Sequence, residues 1–470
     1  MRALFDFLRT ADLPYLSRLS YRQELRHLLL WGAVVGAVEG EIASVIAAKT
    51  FHGSNFLVTV TWGVPVVVNL FNVLWGVFLR GRGRAPMYRA IAISACLTLA
   101  SIFFTPSEPA WGGWLFAAQI ALANFFLSGL VTLRTTIWRA NYPVTHRGRI
   151  AGRLSTVRLL IAAIAAGVLG LVFDWNERAY AWGYLAVAGC GSLALLPLLR
   201  WRVRGERSEF RRTARELAAR RGAPPPDDDD DATASIDDEL SSNAPVRARG
   251  GARAGLAESF AILRDDRAFA RYQVGMFLLG SANFFTGPAV TSTVAKDLGL
   301  SYFWSVVLLV HIPTALKFIV IPFWTPYFDR VGVVRYRLTN SLCWISHYVC
   351  LAAAMVLLKL TLPFAVVAGF VLLVVARGLY GVSHGGGQIA WNLGHLHFAP
   401  EHQTELYMSV HVALTGARGL IMPLLGYVAY QHLGVGAFVI AAGLAGSSYF
   451  IFRIADASER SRAAAMRLTI

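Results

Sequence analysis

Charged residues are scarce in this chain: they make up 15% of its 470 residues, whereas hydrophobic residues make up 56%. A soluble domain contains roughly a quarter charged residues, so the deficit excludes an ordinary soluble protein and indicates a membrane protein with several spans. Lysine is the rarer basic residue, because only four of the 44 basic residues are lysines: Lys49, Lys296, Lys317 and Lys359. Arginine therefore carries nearly all of the positive charge.

Cysteine is also sparse. The four cysteines all lie in apolar stretches: Cys96, Cys190, Cys343 and Cys350. None of them has the CxxC spacing of a zinc or redox site. We therefore expect buried thiols and no disulfide framework.

Long apolar runs dominate the sequence, and a run of about 20 residues crosses a bilayer as a helix. We predict twelve such spans, near 25–48, 56–79, 88–105, 112–133, 153–173, 179–199, 271–294, 303–323, 338–358, 362–390, 406–430 and 434–454. They divide six and six around a long polar break. The predicted fold class is an all-α membrane protein with twelve transmembrane helices.

The chain divides into five predicted segments. Residues 1–24 lack a short apolar core followed by a cleavage site, so we interpret them as a retained interfacial segment. Two six-helix bundles follow, at 25–199 and 271–454. Between them, residues 200–270 contain a basic amphipathic stretch and then a run rich in Pro and Asp, which predicts a largely disordered linker. Residues 455–470 form a cytoplasmic tail.

The placement of arginine predicts the orientation in the membrane. Basic residues cluster in the N-terminal segment and in the second, fourth and eighth connections. The odd-numbered connections contain only four: Lys49, Arg178, Lys296 and Lys359. By the positive-inside rule, both termini and the linker are cytoplasmic. We therefore expect a multi-pass protein of the inner or plasma membrane, surrounded by lipid, and no nucleic-acid partner despite the net charge of +16.

Two connections contain copies of a loop motif that is found in a known protein family. After the second span, GVFLRGRGR matches the motif at three positions: Gly76, Gly83 and Arg84. After the eighth span, TPYFDRVGVVR matches it at three more: Asp329, Arg330 and Gly332. Arg80 stands where the family has an aspartate. With the six-plus-six pattern, these motifs resemble the major facilitator superfamily, which implies two pseudo-symmetric bundles and secondary transport by alternating access, with no cofactor.

The first predicted span contains two glutamates, Glu39 and Glu41. It also carries three glycines at four-residue spacing: Gly32, Gly36 and Gly40. Ionisable residues at membrane depth cost roughly 2.5–3.5 kcal/mol each on insertion scales, which makes them functional candidates. Two positions on a helix differ by about 200°, so at most one glutamate is expected to face a central cavity. That glutamate carries a proton during transport, or it is satisfied by a partner such as Arg158 or Lys317.

The resemblance implies that the first, fourth, seventh and tenth helices line the cavity. Six polar residues of the last three are candidates for the site: Gln119, Asn124, Asn283, Arg377, His384 and Gln388. Arg377 is the main cationic candidate, because a guanidinium can bind a carboxylate or phosphate with two hydrogen bonds. The alternative is that Arg377 neutralises one of the two glutamates. Lys317 in the eighth span and Arg418 in the eleventh add positive field or stabilise helix packing, and packing is the favoured alternative.

The stretch SHGGGQIAWNLGHLHFAPEH contains four histidines and three consecutive glycines. The histidines are His384, His395, His397 and His402. No cysteine or aspartate joins them, so we predict no metal site. A phosphate loop needs a strand before it and a lysine after it, and this stretch has neither. A pH-sensing cytoplasmic segment and an ordinary polar helix end both stay open.

The sequence as a whole predicts a proton-coupled secondary transporter of a small solute, with a small organic anion as the leading substrate class because of Arg377. It predicts no enzymatic activity and a monomer. We find no HExxH or GxSxG motif, which argues against an intramembrane enzyme. Two alternatives stay open. One is efflux of amphipathic compounds through a cavity lined by four aromatic residues: Phe125, Phe126, Phe284 and Phe285. The other is a non-transporting receptor or scaffold of the same fold, in which the linker recruits a cytoplasmic protein.

Overall fold

The computed structural model of the chain describes residues 13–38, 41–71, 74–75, 78–79, 82–108, 111–206, 261–360, 362–400 and 404–468. Within these ranges the secondary structure is helical, without a β-strand. The N-terminal half contains α1 (Tyr15–Val38), α2 (Ile42–Lys49), α3 (Asn55–Val67), α4 (Arg84–Ser101), α5 (Gly112–Asn141), α6 (Val144–Trp175) and α7 (Tyr180–Leu193). The C-terminal half contains α8 (Arg267–Ser292), α9 (Tyr302–Val306), α10 (Ile312–Val331), α11 (Val333–Lys359), α12 (Pro363–Leu393), α13 (Thr404–Leu433) and α14 (Gly436–Leu468).

The helices confirm the predicted all-α membrane fold. Among the described residues, nine helical segments are long and apolar enough to cross a bilayer. A tenth is obtained if α1 and α2, which are inclined by 43° to each other, form one broken span. Helix α3 is apolar but has only 13 residues. The count of twelve spans stays a prediction.

Glycines of the first span pack against α6. A side-chain carbon at Gly32 or Gly36 would overlap Ile161 or Ala162 of that helix. Small residues at such positions let helix backbones approach closely, which is the main source of helix association in a bilayer. The glycine spacing of the first span thus corresponds to a close helix approach at these two positions. Gly40 lies outside the described residues.

Helices α10 and α11 meet at a single residue, Gly332, without an intervening loop. Its φ of 77° lies in the left-handed region that glycine adopts without steric cost. The amide of Gly332 donates to the Phe328 carbonyl (3.2 Å), and its own carbonyl accepts from the Tyr336 amide (3.0 Å). Gly332, the glycine of the second loop motif, therefore has a structural role, because it turns the chain between α10 and α11.

The two halves contact each other on the side that holds the first, fifth and seventh connections, which the sequence predicts to be outside. Asp174, at the end of α6, accepts hydrogen bonds from the backbone amides of Tyr302 (2.5 Å) and Phe303 (3.0 Å). The carboxylate thus caps the first turn of α9, where backbone amides lack partners within the helix. Thr50 and Tyr302 add a bond between their hydroxyls (2.8 Å).

Two lysines complete this junction, which we call the outer contact (Lys49, Thr50, Asp174, Lys296 and Tyr302). Lys49 donates to the Leu300 carbonyl (2.7 Å). Lys296 donates to the Gly53 carbonyl and to Asn55 Oδ1 (3.0 Å). Burial lowers the pKa of the Lys296 ammonium, and the nearby Asp297 acts in the opposite direction. The outer contact therefore joins the halves through polar bonds, several of them charge-assisted.

Candidate functional site

A cavity of about 340 Å³ lies between the two halves, and we call it the interface cavity. The N-terminal half contributes residues of the α1–α2 break and of α3 to its wall, and the C-terminal half contributes residues of α8, α10 and α12. Its polar lining includes Glu41, Asn283, Lys317, Tyr380 and His384. A cavity bounded by both halves is the expected place for a transported solute.

Glu41 lies in the break between α1 and α2. Its Oε2 accepts hydrogen bonds from Trp62 Nε1 on α3 (2.8 Å) and from Thr291 Oγ1 on α8 (2.8 Å). One carboxylate oxygen therefore connects the N-terminal half to the C-terminal half. Within the described part of the chain, no lysine or arginine nitrogen forms an ion pair with Glu41. Glu39 lies outside the described residues.

Lys317 of α10 lines the same cavity and is only 9% exposed. Among the residues that the structure describes, its ammonium has no hydrogen-bond acceptor and no carboxylate partner. A buried ammonium is costly unless an acceptor or a counter-ion compensates it. Lys317 is therefore available to contact an anionic solute.

A second cavity, of about 290 Å³, is formed by the C-terminal half alone, and we call it the C-half cavity. Two arginines line it, Arg337 of α11 and Arg418 of α13, and they are 2% and 5% exposed. Gln388 and Thr415 also line it. Three residues belong to the walls of both cavities: Asn283, Phe284 and His384. The cavities are thus adjacent along α8 and α12.

Arg377 occupies a different position from the one that its sequence context suggested. It is 4% exposed and donates to the carbonyls of Leu308 (Nε, 3.3 Å) and Leu309 (Nη2, 2.9 Å). These carbonyls belong to the π-helical turn between α9 and α10, which interrupts the regular hydrogen-bond ladder. The guanidinium stacks on the Tyr380 ring at 4.4 Å. Tyr380 lines the interface cavity, whereas Arg377 is among the lining residues of neither cavity.

Two predicted site residues of α5 lie away from both cavities. Gln119 donates to Ser101 Oγ (3.1 Å) and accepts from Thr105 Oγ1 (2.7 Å) at the end of the neighbouring span. Asn124 donates to the carbonyl of Ile120 in its own helix (2.9 Å). Their hydrogen bonds stabilise the N-terminal half. The structure instead brings five predicted residues to the cavity walls: Glu41, Asn283, Lys317, His384 and Gln388.

The loop-motif residues lie at helix ends. Gly83 precedes α4, and the backbone amide of Arg84 donates to Glu206 Oε1 (2.6 Å). Glu206 thus provides a carboxylate at the N-terminus of α4. Two further motif residues are exposed at the end of α10: Asp329 and Arg330. Gly76 and Arg80 lie outside the described residues.

The histidines are distributed over separate environments. His384 lines both cavities, and the centroid of its ring lies 5.6 Å from that of the Tyr380 ring. His395 is buried, and His397 Nε2 lies 3.4 Å from Glu459 Oε1. In the described ranges, no three His, Cys, Asp or Glu side chains form a group that could hold a metal ion. His402 lies outside these ranges.

Sequence reasoning placed neither arginine of the C-half cavity in the predicted site, although Arg418 was considered with Lys317 as a source of positive field. Arg337 entered only as a cytoplasmic orientation signal. A usable signal was present, because buried polar and aromatic positions recur at helical spacing on α11: Arg337, Asn340, Ser341, Trp344 and His347. A shorter series of the same kind lies on α13: His411, Thr415 and Arg418.

The geometry can now be compared with known proteins. The family model for the Major Facilitator Superfamily matches residues 29–349. The chain belongs to the major facilitator superfamily. Its membership and its structural neighbours identify a transporter fold and not an enzyme. No curated protein matches the chain in sequence.

Solved structures of superfamily transporters resemble this member over nearly its whole length. The nucleoside transporter NupG has a TM-score of 0.58 and 14% identity, covering 94% of this chain and 99% of its own. The peptide transporter POT in complex with sulfate has a TM-score of 0.63 and 14% identity, covering 93% and 94%. The xylose transporter XylE from E. coli, in an inward open conformation, has a TM-score of 0.60 and 11% identity, covering 92% and 95%. Similarity at this identity establishes the fold alone.

Proposed function

We propose that this superfamily member is a proton-coupled secondary transporter of a small organic anion that works by alternating access. The observation that carries the proposal is the position of Glu41. Its carboxylate lines the interface cavity and accepts one hydrogen bond from each half of the protein. Protonation of this carboxylate would therefore change both the charge of the cavity wall and the strength of a hydrogen bond that joins the two halves.

Alternating access is supported by the asymmetry of the contacts between the halves. The outer contact closes the side that is predicted to face outside, and the interface cavity lies between the same two halves. Rocking one half against the other would break the outer contact and open the interface cavity to the outside. We infer from the arginine distribution that both termini lie on the cytoplasmic side of the inner or plasma membrane. We also propose that the protein acts as a monomer.

Proton coupling follows from the chemistry of the bonds to Glu41. An ionised carboxylate accepts stronger hydrogen bonds than a neutral carboxyl group does. Protonation of Glu41 therefore weakens the bond from Thr291, which joins Glu41 to the other half. Among the described residues that line the two cavities, Glu41 is the acidic one. It is thus the group at which proton uptake can be linked to movement.

The anionic substrate is supported by the excess of buried positive charge at the cavities. Lys317, Arg337 and Arg418 line the walls, opposed by the single carboxylate of Glu41. Buried cations without acidic partners are unfavourable until an anion compensates them. Efflux of amphipathic compounds is the second candidate, since Phe284 lines both cavities. Lipophilic cations would then be preferred over anions.

The proposal is tested in proteoliposomes that contain a fluorescent pH indicator. Addition of small carboxylates, with lipophilic cations and sugars as comparison solutes, should acidify the lumen of wild-type vesicles when the outside is acidic. Glu41→Gln removes the titrating group but keeps hydrogen-bonding atoms. It should abolish solute-dependent acidification and leave exchange of labelled solute across the membrane intact.

Glu108→Gln is the matched control, because Glu108 is an exposed carboxylate whose Oε2 accepts from Trp111 on the protein surface (3.0 Å). It should acidify the vesicles as the wild type does. Persistent proton flux in Glu41→Gln would place the coupling group elsewhere. Transport of lipophilic cations alone would favour efflux.

A further inference from the structure

The C-half cavity contains two buried guanidinium groups that share no acidic partner. Within the described part of the chain, no carboxylate lies within ion-pair distance of Arg337 or Arg418. Both side chains are more than nine-tenths buried and both line the cavity. We propose that this cavity is the subsite for the charged group of the transported solute, an oxyanion carried on an aromatic or other apolar body. This inference rests on the proposed transport function and assigns the substrate class to a defined pair of residues.

The hydrogen bonds of the two arginines hold them in place without using all of their donors. Arg337 donates to Asn340 Oδ1 (3.2 Å) and to the Gly387 carbonyl (3.1 Å). Arg418 donates to the Met276 carbonyl (2.6 Å) and to Thr415 Oγ1 (3.1 Å). A guanidinium has five N–H donors, so each retains unused ones.

The unused donors include one fixed atom on each arginine. The Nε atoms of Arg337 and Arg418 are fully buried and have no hydrogen-bond partner. A solute in the cavity cannot reach these two atoms. The unused N–H donors on the Nη atoms of each arginine are the ones from which a carboxylate, sulfonate or phosphate oxygen can accept, while its negative charge compensates the guanidinium.

The remainder of the cavity wall determines what the oxyanion is attached to. Trp344, Trp391 and Phe284 line it together with the apolar side chains of Met276 and Leu279. Such a lining favours an apolar or aromatic body, because burial of apolar surface and ring stacking both contribute. A volume of about 290 Å³ accommodates a solute with one aromatic ring.

The subsite also adjoins the proposed proton-carrying group. Asn283, Phe284 and His384 separate the two arginines from the interface cavity, where Glu41 and Lys317 lie. An anion bound at the arginines is therefore held within the C-terminal half, next to the space that opens and closes between the halves. The C-terminal half would bind the solute, while the protonation state of Glu41 would set the strength of its hydrogen bond to Thr291 between the halves.

Binding is tested with benzenesulfonate on the purified full-length protein, by the rise of its melting temperature with ligand concentration. Benzenesulfonate remains ionised at any working pH. Three comparison probes separate its features: benzyltrimethylammonium has the ring with a positive charge, benzyl alcohol has the ring alone, and methanesulfonate has the anion alone. We expect benzenesulfonate to bind most tightly, methanesulfonate weakly, and the other two not at all.

Arg337→Gln and Arg418→Gln should each weaken benzenesulfonate binding at least about tenfold, since each removes a charge-assisted contact. Arg453→Gln, an exposed arginine of α14, is the matched control and should bind as the wild type does. If the glutamine variants fail to fold, Gly387→Ala provides the test. A methyl group at Gly387 meets its nearest side-chain atom, Arg337 Nη1, at 3.7 Å, so it fits the fold while narrowing the cavity.

The outcomes distinguish this inference from the proposed function. Benzenesulfonate binding that is unchanged in the two glutamine variants and in Gly387→Ala would overturn the subsite. Absence of anion binding, with proton-driven uptake of a neutral or cationic solute, would also overturn the subsite and leave proton-coupled transport standing. Arginine-dependent binding of benzenesulfonate without any transport in proteoliposomes would support the subsite and contradict the proposed function.

Discussion

Three arginines in this protein show how much a single side chain depends on its surroundings. Arg377, Arg337 and Arg418 are all nearly fully buried in the C-terminal half. Arg377 donates to two carbonyls of the π turn and stacks on Tyr380, whereas the other two face a cavity. At the residue scale, therefore, Arg377 stabilises the wall of the site, and the cavity arginines are placed to contact solute.

This difference predicts the effect of Arg377→Met. Methionine keeps the length of the side chain but leaves the carbonyls of Leu308 and Leu309 without their donors. The loss should destabilise the protein by about 1–3 kcal/mol, seen as a lower melting temperature in detergent. Affinity for benzenesulfonate should stay within about twofold of the wild type, because Arg377 does not line the C-half cavity. A twofold change in affinity corresponds to only about 0.4 kcal/mol of binding free energy.

Arg453→Met serves as the control for removing an arginine, because Arg453 is exposed on α14. Its melting temperature should remain that of the wild type. An Arg377→Met variant with normal stability but no anion binding would show that Arg377 contacts the solute after all.

At the scale of helices, the outer contact is the element that keeps the two halves closed on one side. Asp174 caps α9 across the junction, so a single carboxylate links the end of α6 to the opposite half. Asp174→Asn retains the size of the side chain, but it removes the charge and replaces one of the two accepting oxygens with an NH2 group, so one bond is lost and the other is weakened. We expect the equilibrium between conformations to shift toward separation of the halves on this side.

The shift can be measured as a distance between spin labels on Trp111→Cys and Phe364→Cys, in a background without the native cysteines. These positions are 51% and 72% exposed and belong to different halves. Asp174→Asn should add a population with a longer distance. Glu177→Gln, an exposed carboxylate nearby, is the control and should leave the distances unchanged. Identical distributions in the two variants would show that Asp174 does not control closure.

The helices also show which features the sequence can predict. The apolar runs predicted the all-α membrane fold, because bilayer thickness imposes span length directly. The orientation, which the arginine pattern indicates, stays a prediction. The sequence could not predict which helix face meets the cavity, since lipid and protein interior are both apolar and the usual amphipathic period is lost. Gln119 and Asn124 were therefore assigned to the site although they bond within the N-terminal half. The π turn that binds Arg377 has no sequence signature.

At the scale of the whole molecule, the central linker separates the transporter interpretation from the scaffold interpretation. Residues 207–260 lie outside the described residues, and their composition is rich in Pro, Asp and Arg. Replacement of 212–255 by a Gly/Ser sequence of equal length preserves the connection between the halves. Proton-coupled uptake in proteoliposomes should then be unchanged, because the cavity walls, as far as the structure describes them, are formed by the helical halves.

A variant that loses uptake although it remains folded and membrane-inserted would give the linker a role in transport. If a variant has normal uptake but no longer binds the cytoplasmic proteins that the wild type binds in cells, the linker also has a scaffold role. The two readouts are independent, since one uses purified protein and the other uses cells.

The charges of the cavity walls are divided unequally between the halves, and this has an electrical consequence. Lys317, Arg337 and Arg418 belong to the C-terminal half, whereas Glu41 is the N-terminal half's contribution. Moving one elementary charge across the membrane corresponds to about 2.3 kcal/mol per 100 mV. A monoanion that crosses with one proton on Glu41 adds no net charge, so the loaded and the empty cavity carry the same net charge. Membrane voltage therefore acts with equal force on the loaded passage and on the empty return, whereas a dianion that crosses with one proton would make the loaded passage sensitive to voltage.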